Sequence, residues 1–250
     1  MKDDMTKPIA TFDNLRVEFQ TKTGTVVGVE DVSFEIKPRE TVCVVGESGS
    51  GKSVSSLSMM RLVEFGGGKL TNGTLKFTRK SGETLDITKS DQSLMRTIRG
   101  NEIGMIFQEP MTALNPLFTV AQQLSEGLRT HKGLGKEAAT NRALELLYLV
   151  RIPEPERRLN QYPHELSGGM RQRVVIAMAL ACEPRLLIAD EPTTALDVTI
   201  QAEILALIDR LKRETGTAVM FITHDMSVVA QMADRVVVMH NGKKVEEGTV

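Results

Sequence analysis

The chain has 250 residues, enough for one or two compact domains with an ordinary hydrophobic core. Its 31 lysine and arginine residues nearly balance 32 aspartate and glutamate residues, and the net charge of −1 argues against a wholly basic surface for nucleic acid or anionic lipid. The longest apolar run, residues 174–182, is less than half as long as a membrane-spanning helix.

The amino-terminal segment and the two cysteines both favour a cytoplasmic protein with a conventional core. The first ten residues, MKDDMTKPIA, contain acidic side chains and no apolar segment, so they predict no secretory signal. Cys43 and Cys182 lie in apolar runs without a second cysteine or a histidine at metal-ligand spacing. We expect both to be buried free thiols.

The first part of the chain predicts a strand, a glycine-rich loop and a helix in succession. Residues 25–36 alternate apolar and polar side chains in their second half, which predicts a half-buried strand. Residues 41–45, TVCVV, are typical of a strand that is buried on both faces. The sequence GESGSGKS follows directly, and residues 54–62 fit a helix. This segment therefore predicts a first strand-loop-helix unit.

The middle of the chain predicts loops, one strand and a helical region. Residues 66–100 are glycine-rich and polar, which predicts hairpins and loops with a short strand near residues 74–77. Residues 102–108 predict another buried strand. Apolar side chains at helical spacing predict helices over residues 120–130 and 136–150, which we interpret as a helical subdomain.

The last third of the chain alternates predicted helices and strands. These are a helix over 170–182, a strand over 186–191, a helix over 199–213, a strand over 218–223, a helix over 226–232 and a strand over 235–239. Asn241 and Gly242 predict a hairpin turn into a final strand over 243–247. Repeated strand and helix units with apolar strands predict a mostly parallel sheet covered by helices.

Residues 46–53 match the phosphate-binding loop pattern between a predicted strand and a predicted helix. Glycines in such a loop let the backbone curl, so that consecutive N–H groups point at phosphate oxygens. Lys52 would balance the charge of the β and γ phosphates, and Ser53 would place its hydroxyl on Mg²⁺. The predicted contacts with ATP are Gly46, Glu47, Ser48, Gly49, Ser50, Gly51, Lys52, Ser53 and Val54.

The predicted strand over 186–191 ends in two acids with different expected roles. Asp190 lies at the carboxyl end of a buried strand, where ligands of open α/β sheets bind, which suits a Mg²⁺ site. Glu191 follows, and alternation along an extended chain would point it elsewhere, toward an attacking water. Glu191 is therefore the candidate general base. The alternative is an acid that forms a salt bridge or begins a helix.

The sequence LSGGM predicts a second anion site at the start of a helix. Ser167 is followed by Gly168 and Gly169, which leave the helix N–H groups free of side-chain hindrance. A plain helix cap would explain the same residues. The phosphate loop earlier in the chain favours the anion site.

Six motifs together resemble the nucleotide-binding domain of ATP-binding cassette (ABC) transporters over residues 9–250. They are, in order, GESGSGKS, Gln108, LSGGM, LLIADE, Ala195-Leu196-Asp197 and Ile222-Thr223-His224-Asp225. The stretches around them resemble the subgroup that drives oligopeptide, dipeptide and nickel importers, and within it the first half of the ATP-binding subunit of glutathione importers.

The resemblance implies an α/β fold of one ABC nucleotide-binding domain over residues 1–250. Its core would be a RecA-like P-loop NTPase lobe, with a mostly parallel sheet and an antiparallel β region, formed by residues 1–108 and 183–250. Residues 109–182 would form an α-helical subdomain that carries the LSGGM motif.

The resemblance also implies that each active site needs two domains. Ser167, Gly168 and Gly169 would bind the γ-phosphate held by the loop of a second, facing domain, and Asp197 would lie at that interface. The partner would be a second copy of the chain or the other half of a tandem polypeptide. This explains why the sequence has two phosphate-binding helix starts but only one lysine-bearing loop.

Three further roles follow from the resemblance. Gln108 would contact Mg²⁺ or the attacking water and report the nucleotide state to the membrane partner. His224 would polarise the γ-phosphate as a catalytic residue, although a lone histidine after a buried strand is more often structural. Phe19 is the nearest match to the aromatic residue that stacks on adenine.

The implied function is ATP hydrolysis that energises import of glutathione or other small peptides. The protein would bind integral membrane permease subunits at the cytoplasmic face of the bacterial inner membrane and would serve a periplasmic or extracellular substrate-binding protein indirectly. Leu114, Leu117 and Phe118 are a candidate docking surface, or else ordinary core. The chain stops before segments that the subgroup continues with, so we expect a truncated chain or one half of a tandem polypeptide.

Other functions stay open from the sequence. The importer could serve dipeptides, oligopeptides or nickel. A soluble ABC-type ATPase that acts on nucleic acid or ribosomes usually has a coiled-coil or zinc insertion or a basic arm, and none is evident, so we expect no nucleic acid partner. A non-catalytic ATP-binding module is disfavoured by Lys52, Asp190, Glu191 and His224.

Overall fold

The computed structural model describes residues 7–108, 113–193 and 197–250 as two β-sheets with helices around them. The strands are β1 (Ala10–Thr21), β2 (Gly24–Ile36), β3 (Thr41–Val45), β4 (Gly68–Thr78), β5 (Thr84–Asp86), β6 (Ile103–Ile106), β7 (Leu186–Asp190), β8 (Ala218–Thr223), β9 (Arg235–His240) and β10 (Lys243–Thr249). The α-helices are α1 (Lys52–Met59), α2 (Gln92–Ile98), α3 (Val120–Lys132), α4 (Lys136–Leu149), α5 (Pro155–Arg158), α6 (Gly168–Leu180), α7 (Val198–Thr215) and α8 (Met226–Met232).

The larger sheet has six strands in the order β10-β9-β3-β8-β7-β6. Five of its strands are parallel, and β10 pairs antiparallel with β9 at one edge. The smaller sheet is antiparallel, with the order β2-β1-β4-β5. The predicted α/β architecture, a mostly parallel sheet with an antiparallel region and helices, is therefore confirmed.

The parallel sheet is buried on both faces, as its uninterrupted apolar strands predict. Val42 and Val44 of β3 pack into the core between the two sheets. Cys43 and Val45 point into a second core, which also contains the buried side chains of α3, α4, α6, α7 and α8. Both cysteines are buried and free, as predicted. The division into a core lobe and a helical lobe at residues 109 and 182 stays a prediction.

Two elements lie where the sequence pattern gave no clear prediction. β1 pairs with both β2 and β4, but its register shifts near Asn14, which has a φ of 49°, so the alternation of side chains is interrupted. α2 lies in the region predicted as hairpins and loops. It is short, and Asp91 begins it by accepting a hydrogen bond from Leu94 N (2.8 Å).

Among the described residues, we find no helix with both the length and the apolarity that crossing a membrane requires.

Candidate functional site

The phosphate loop lies between β3 and α1, where a buried strand ends and a helix begins. Gly46 and Gly51 have φ angles of 151° and 95°, which side chains rarely adopt. A β-carbon at Gly46 would collide with the carbonyl oxygen of Met239, and one at Gly51 would lie 2.5 Å from the carbonyl oxygen of Gly28. Glycine is therefore required at both positions by conformation and by space.

The Lys52 side chain lies inside this loop and is only 6 % exposed. Its ammonium group donates to the carbonyl oxygens of Gly46 and Glu47, each at 2.8 Å. Burial lowers the pKa of Lys52, and the carboxylates of Glu191 and Asp190 oppose that shift. The loop therefore holds a cation among backbone groups at the point where phosphate oxygens would bind.

Ser53 and Asp190 form the next layer of the site. The hydroxyl of Ser53, in the first turn of α1, donates to Asp190 Oδ1 at 3.1 Å. Asp190 ends β7 and is 3 % exposed, and burial raises the pKa of its carboxyl although the Ser53 hydrogen bond opposes the shift. Two oxygen ligands thus converge beside the loop, a donor set that suits Mg²⁺. Within the ranges described, no group of three side chains among His, Cys, Asp and Glu is placed to hold a metal ion, so phosphate and water oxygens would have to supply further ligands.

Glu191 points toward two other predicted site residues, Gln108 and His224. Its Oε1 lies 3.1 Å from His224 Nδ1, and its Oε2 accepts a hydrogen bond of 3.4 Å from Gln108 Nε2. Residues from the ends of β6, β7 and β8 therefore meet at one point. Gln108 and His224 are exposed, while the Glu191 side chain is mostly buried.

The Glu191 side chain points toward Gln108 and His224 for a different reason from the strand alternation that the sequence predicts. The sequence predicts an extended continuation of β7, but Glu191 has a φ of 48°, in the left-handed region. Its N–H donates to Ile222 O of β8 (3.0 Å), which holds the backbone in this conformation. The side chain therefore leaves the strand at a sharp bend, and alternation does not describe it.

The LSGGM segment forms the start of α6. Ser167 is exposed, and its Oγ accepts a hydrogen bond from Met170 N at 3.3 Å, so it is the helix cap. Gly168 and Gly169 form the first turn. A β-carbon at Gly169 would lie 3.3 Å from Ile200, so α6 and α7 approach each other closely there.

Asp197 is also a helix cap, and α7 links several motifs. Asp197 Oδ1 accepts from Ile200 N at 2.9 Å. Gln201 of α7 donates to Asp225, the residue after His224, at 3.3 Å. The start of α7 therefore contacts the elements that hold Ser167 and His224. Ala195 and Leu196 of the same motif lie outside the described residues.

Phe19 lies on β1 near α1. Its ring packs between two glycines, because a β-carbon at Gly28 or at Gly68 would lie 2.8 Å from the ring. The same position on Gly28 is 3.5 Å from Val54 of α1. Phe19, the predicted base-stacking residue, and Val54, a predicted ATP contact, thus both lie beside Gly28.

Glu47, Ser48 and Gly49 form the outer, more exposed part of the phosphate loop.

The turn between β9 and β10 also contacts the loop, a contact that no motif in the sequence indicates. Gly242 N donates to Ser50 O at 3.1 Å. The two residues are far apart in the chain, and only the folded sheet brings them together. The Asn-Gly pair predicted the turn but not what the turn touches.

The comparisons with known proteins agree with these motifs. Residues 29–194 match the family model described as ABC transporter. A putative peptide import ATP-binding protein of Brucella melitensis is 54 % identical over 244 residues, which cover 98 % of this chain and 72 % of that protein. A glutathione import ATP-binding protein of Escherichia coli K12 is 51 % identical over 242 residues, 97 % of this chain but 39 % of that protein.

Solved structures are similar over nearly the whole chain. An ATP-binding cassette, in a dimeric post-hydrolysis state bound to ADP and Pi, has a TM-score of 0.82 at 30 % identity and covers 96 % of this chain and 98 % of its own. The cbiO1 protein of Clostridium perfringens, part of an ABC transporter complex, has a TM-score of 0.78 at 27 % identity, covering 97 % and 88 %. The predicted P-loop NTPase core is therefore confirmed.

Proposed function

Because the chain belongs to the ABC transporter family, we propose that it is the ATP-hydrolysing subunit of an importer for glutathione or other small peptides. The observation that carries the proposal is the convergence of Gln108, Glu191 and His224 beside a loop that holds Lys52. The peptide and glutathione substrate class rests on the names of the relatives, since selectivity belongs to the permease and the binding protein.

ATP would bind with its β and γ phosphates in the loop. The N–H groups of the loop and of the first turn of α1 would bind the phosphate oxygens, and Lys52 would balance their charge. Phe19 and Val54 would lie near the base. Mg²⁺ would be held by Ser53, with Asp190 and Gln108 beside it, and would neutralise developing negative charge on the phosphates.

Glu191 would act as the general base for the attacking water. Its two oxygens are oriented by His224 and Gln108, so the carboxylate has a fixed direction before the nucleotide binds. His224 would contact the γ-phosphate and stabilise negative charge in the transition state. Since phosphoryl transfer depends mainly on positioning and charge stabilisation, these contacts account for most of the chemistry required.

The site would be completed by a second nucleotide-binding domain. Ser167, Gly168 and Gly169 would present the start of α6 to the γ-phosphate bound by the partner, with Asp197 at the same interface. Support comes from the exposure of Ser167 and from the dimeric state of similar cassettes. Closure of the two domains on ATP would pull on the permease, and hydrolysis would let them reopen.

The permease would dock beside Gln108 at the cytoplasmic face of the bacterial membrane. Leu117 and Phe118 are 80 % and 48 % exposed, and Phe118 lines a groove of about 870 Å³ along α3. Leu114 does not belong to this surface, because it is 5 % exposed and packs in the core. Of the three predicted docking residues, two therefore support the proposal.

The proposal is tested against its alternative by phosphate release and crosslinking. We expect the purified chain to hydrolyse ATP and to show no stimulation by duplex DNA or ribosomes. A photocrosslinking residue at Leu117 should capture a multispanning membrane protein in bacterial membranes, while the same residue at exposed Lys76, on β4, should not. Stimulation by DNA or ribosomes, without a membrane adduct, would instead favour a soluble ABC-type ATPase.

A further inference from the structure

The turn that joins β9 to β10 is fixed between the phosphate loop and β2. Asn241 and Gly242 have φ angles of 47° and 78°, the conformation of a tight hairpin turn. The N–H of Gly242 donates to Ser50 O at 3.1 Å, and the carbonyl of Gly242 accepts from Glu30 N at 2.7 Å. Lys243 adds an ion pair with Glu30 at 3.3 Å.

The hydrogen bond to Ser50 O also sets the direction of the Gly51 N–H group. Ser50 O and Gly51 N belong to one trans peptide group, in which the carbonyl and the N–H point in opposite directions. Because Gly242 N–H binds Ser50 O, the N–H of Gly51 on the same peptide group points away from Gly242. Gly51 immediately precedes Lys52, the first residue of α1, where phosphate oxygens bind in loops of this kind.

The neighbouring peptide groups are oriented from within the loop and its helix. The carbonyls of Gly46 and Glu47 accept from the ammonium group of Lys52. Gly51 O accepts from the N–H of Ser55 (2.9 Å) and from its hydroxyl (3.0 Å). Ser50 O differs from these carbonyls, because its donor comes from a distant part of the chain.

A side chain at position 242 would disturb this arrangement of the turn. A β-carbon on Gly242 would lie 3.1 Å from the carbonyl oxygen of Gly28, tighter than ordinary van der Waals contact. The same Gly28 oxygen limits Gly51. Any side chain at position 242 would therefore have to displace either β2 or the turn, and the turn carries the hydrogen bond to Ser50.

We propose that Gly242 is a positioning residue for nucleotide binding, which holds the Ser50–Gly51 peptide so that Gly51 N–H faces the phosphates. This inference rests on the proposed function, because it assumes that the loop binds ATP. It adds that the hairpin of β9 and β10, which is distant from the loop in the sequence, belongs to the nucleotide site. Gly242 itself touches no nucleotide in this account.

The test compares Gly242→Ala with Gly82→Ala. Both glycines have positive φ in turns (78° and 87°), but a β-carbon at Gly82 would meet no atom within 4 Å. We expect both variants to lose thermal stability from the strain that a side chain suffers at positive φ, and Gly242→Ala to lose more because of its close contact with Gly28. Only Gly242→Ala should raise the Kd for ADP and the KM for ATP, by about fivefold, as expected for weakening one hydrogen bond, while kcat stays within about twofold.

A measurement on the wild-type chain covers the case in which Gly242→Ala does not fold. In protein labelled with ¹⁵N-glycine, the Gly242 amide should exchange slowly with solvent, and more slowly when ADP is bound. Rapid exchange that ADP does not change would overturn the inference, as would wild-type ADP affinity in a folded Gly242→Ala protein. If the wild-type chain binds no ADP, the proposed function fails and this inference fails with it.

Discussion

The phosphate loop and the start of α6 are both helix starts with the means to bind an anion, but they are built in opposite ways. In the loop, Lys52 is buried and its ammonium group is bonded to backbone carbonyls. At α6, Ser167 is exposed and its hydroxyl is occupied as a cap. The phosphate loop therefore has its cation buried among backbone groups, whereas the start of α6 is a capped helix end at the surface.

The way in which the two helices begin explains the difference. α1 follows Gly51, and among the described atoms no side chain caps its first turn, so its N–H groups are left for a ligand. α6 has a serine cap that takes the N–H of Met170, while Gly168 and Gly169 keep the approach open. We infer that the loop binds nucleotide alone, whereas α6 contributes only when a partner brings a phosphate to it.

The largest expected effect separates chemistry from binding in the first region. Glu191→Gln removes the proposed general base and keeps the side-chain shape, so phosphate release should fall by about 10² to 10⁴-fold, the range for such a group. The Kd for ATP should change by less than about twofold, since Lys52 and the loop are intact. Glu246→Gln, at an exposed position on β10, is the matched control and should hydrolyse ATP normally. If Glu191→Gln hydrolysed ATP at the normal rate, Glu191 would not be the general base.

The next effect tests the second region by itself. Ser167→Arg places a bulky side chain at the start of α6, and we expect hydrolysis to fall by about 10² to 10³-fold, as when a transition-state donor is lost. ATP binding by the isolated chain should be unchanged, because the loop does not contain Ser167. Ser81→Arg, in the exposed turn before β5, should change neither quantity. Weakened ATP binding by Ser167→Arg would show that the two regions are not independent.

The smallest expected effect is on stability, and it measures how far the buried carboxyl of Asp190, beside the phosphate loop, lowers the free energy of unfolding. Since burial raises the pKa of Asp190, the folded chain holds that proton more tightly than the unfolded chain does. The free energy of unfolding therefore falls as the pH rises through the pKa of Asp190. Asp190→Asn should raise the Tm at pH 7 by a few degrees, about 2 to 4 °C for each kcal/mol. The gain should vanish below about pH 3.9, the ordinary pKa of an aspartate.

Asp234→Asn is the control of opposite sign. Burial would raise the pKa of Asp234, but hydrogen bonds from Lys212 and from Thr41 N outweigh it and lower that pKa. Its stabilising contribution is present at neutral pH and is lost as the pH falls. Asp234→Asn should therefore lower the Tm at pH 7. If both variants shift the Tm in the same direction, burial does not determine the direction of the pKa shift of Asp190.

The sequence predicted those parts of the site that depend on local chemistry. The loop from Gly46 to Ser53 and the strand that ends at Asp190 follow from glycine spacing and apolar runs, and the structure has both. The conformation of Glu191 could not be predicted, because a hydrogen bond from its N–H to Ile222 O of β8 imposes it. The contact between Gly242 and Ser50 likewise depends on the order of strands in the sheet. Leu114 and Leu117 look alike in the sequence, and only packing distinguishes core from surface.

The central claim, that α6 acts on nucleotide held by a partner, is tested most directly by the molecular mass of Glu191→Gln with ATP. Light scattering should show a dimer with ATP and a monomer with ADP, because nucleotide that is bound but not hydrolysed keeps the two domains closed. Glu191→Gln with Ser167→Arg should bind ATP equally well and remain a monomer. A double variant that still dimerises with ATP would contradict the claim.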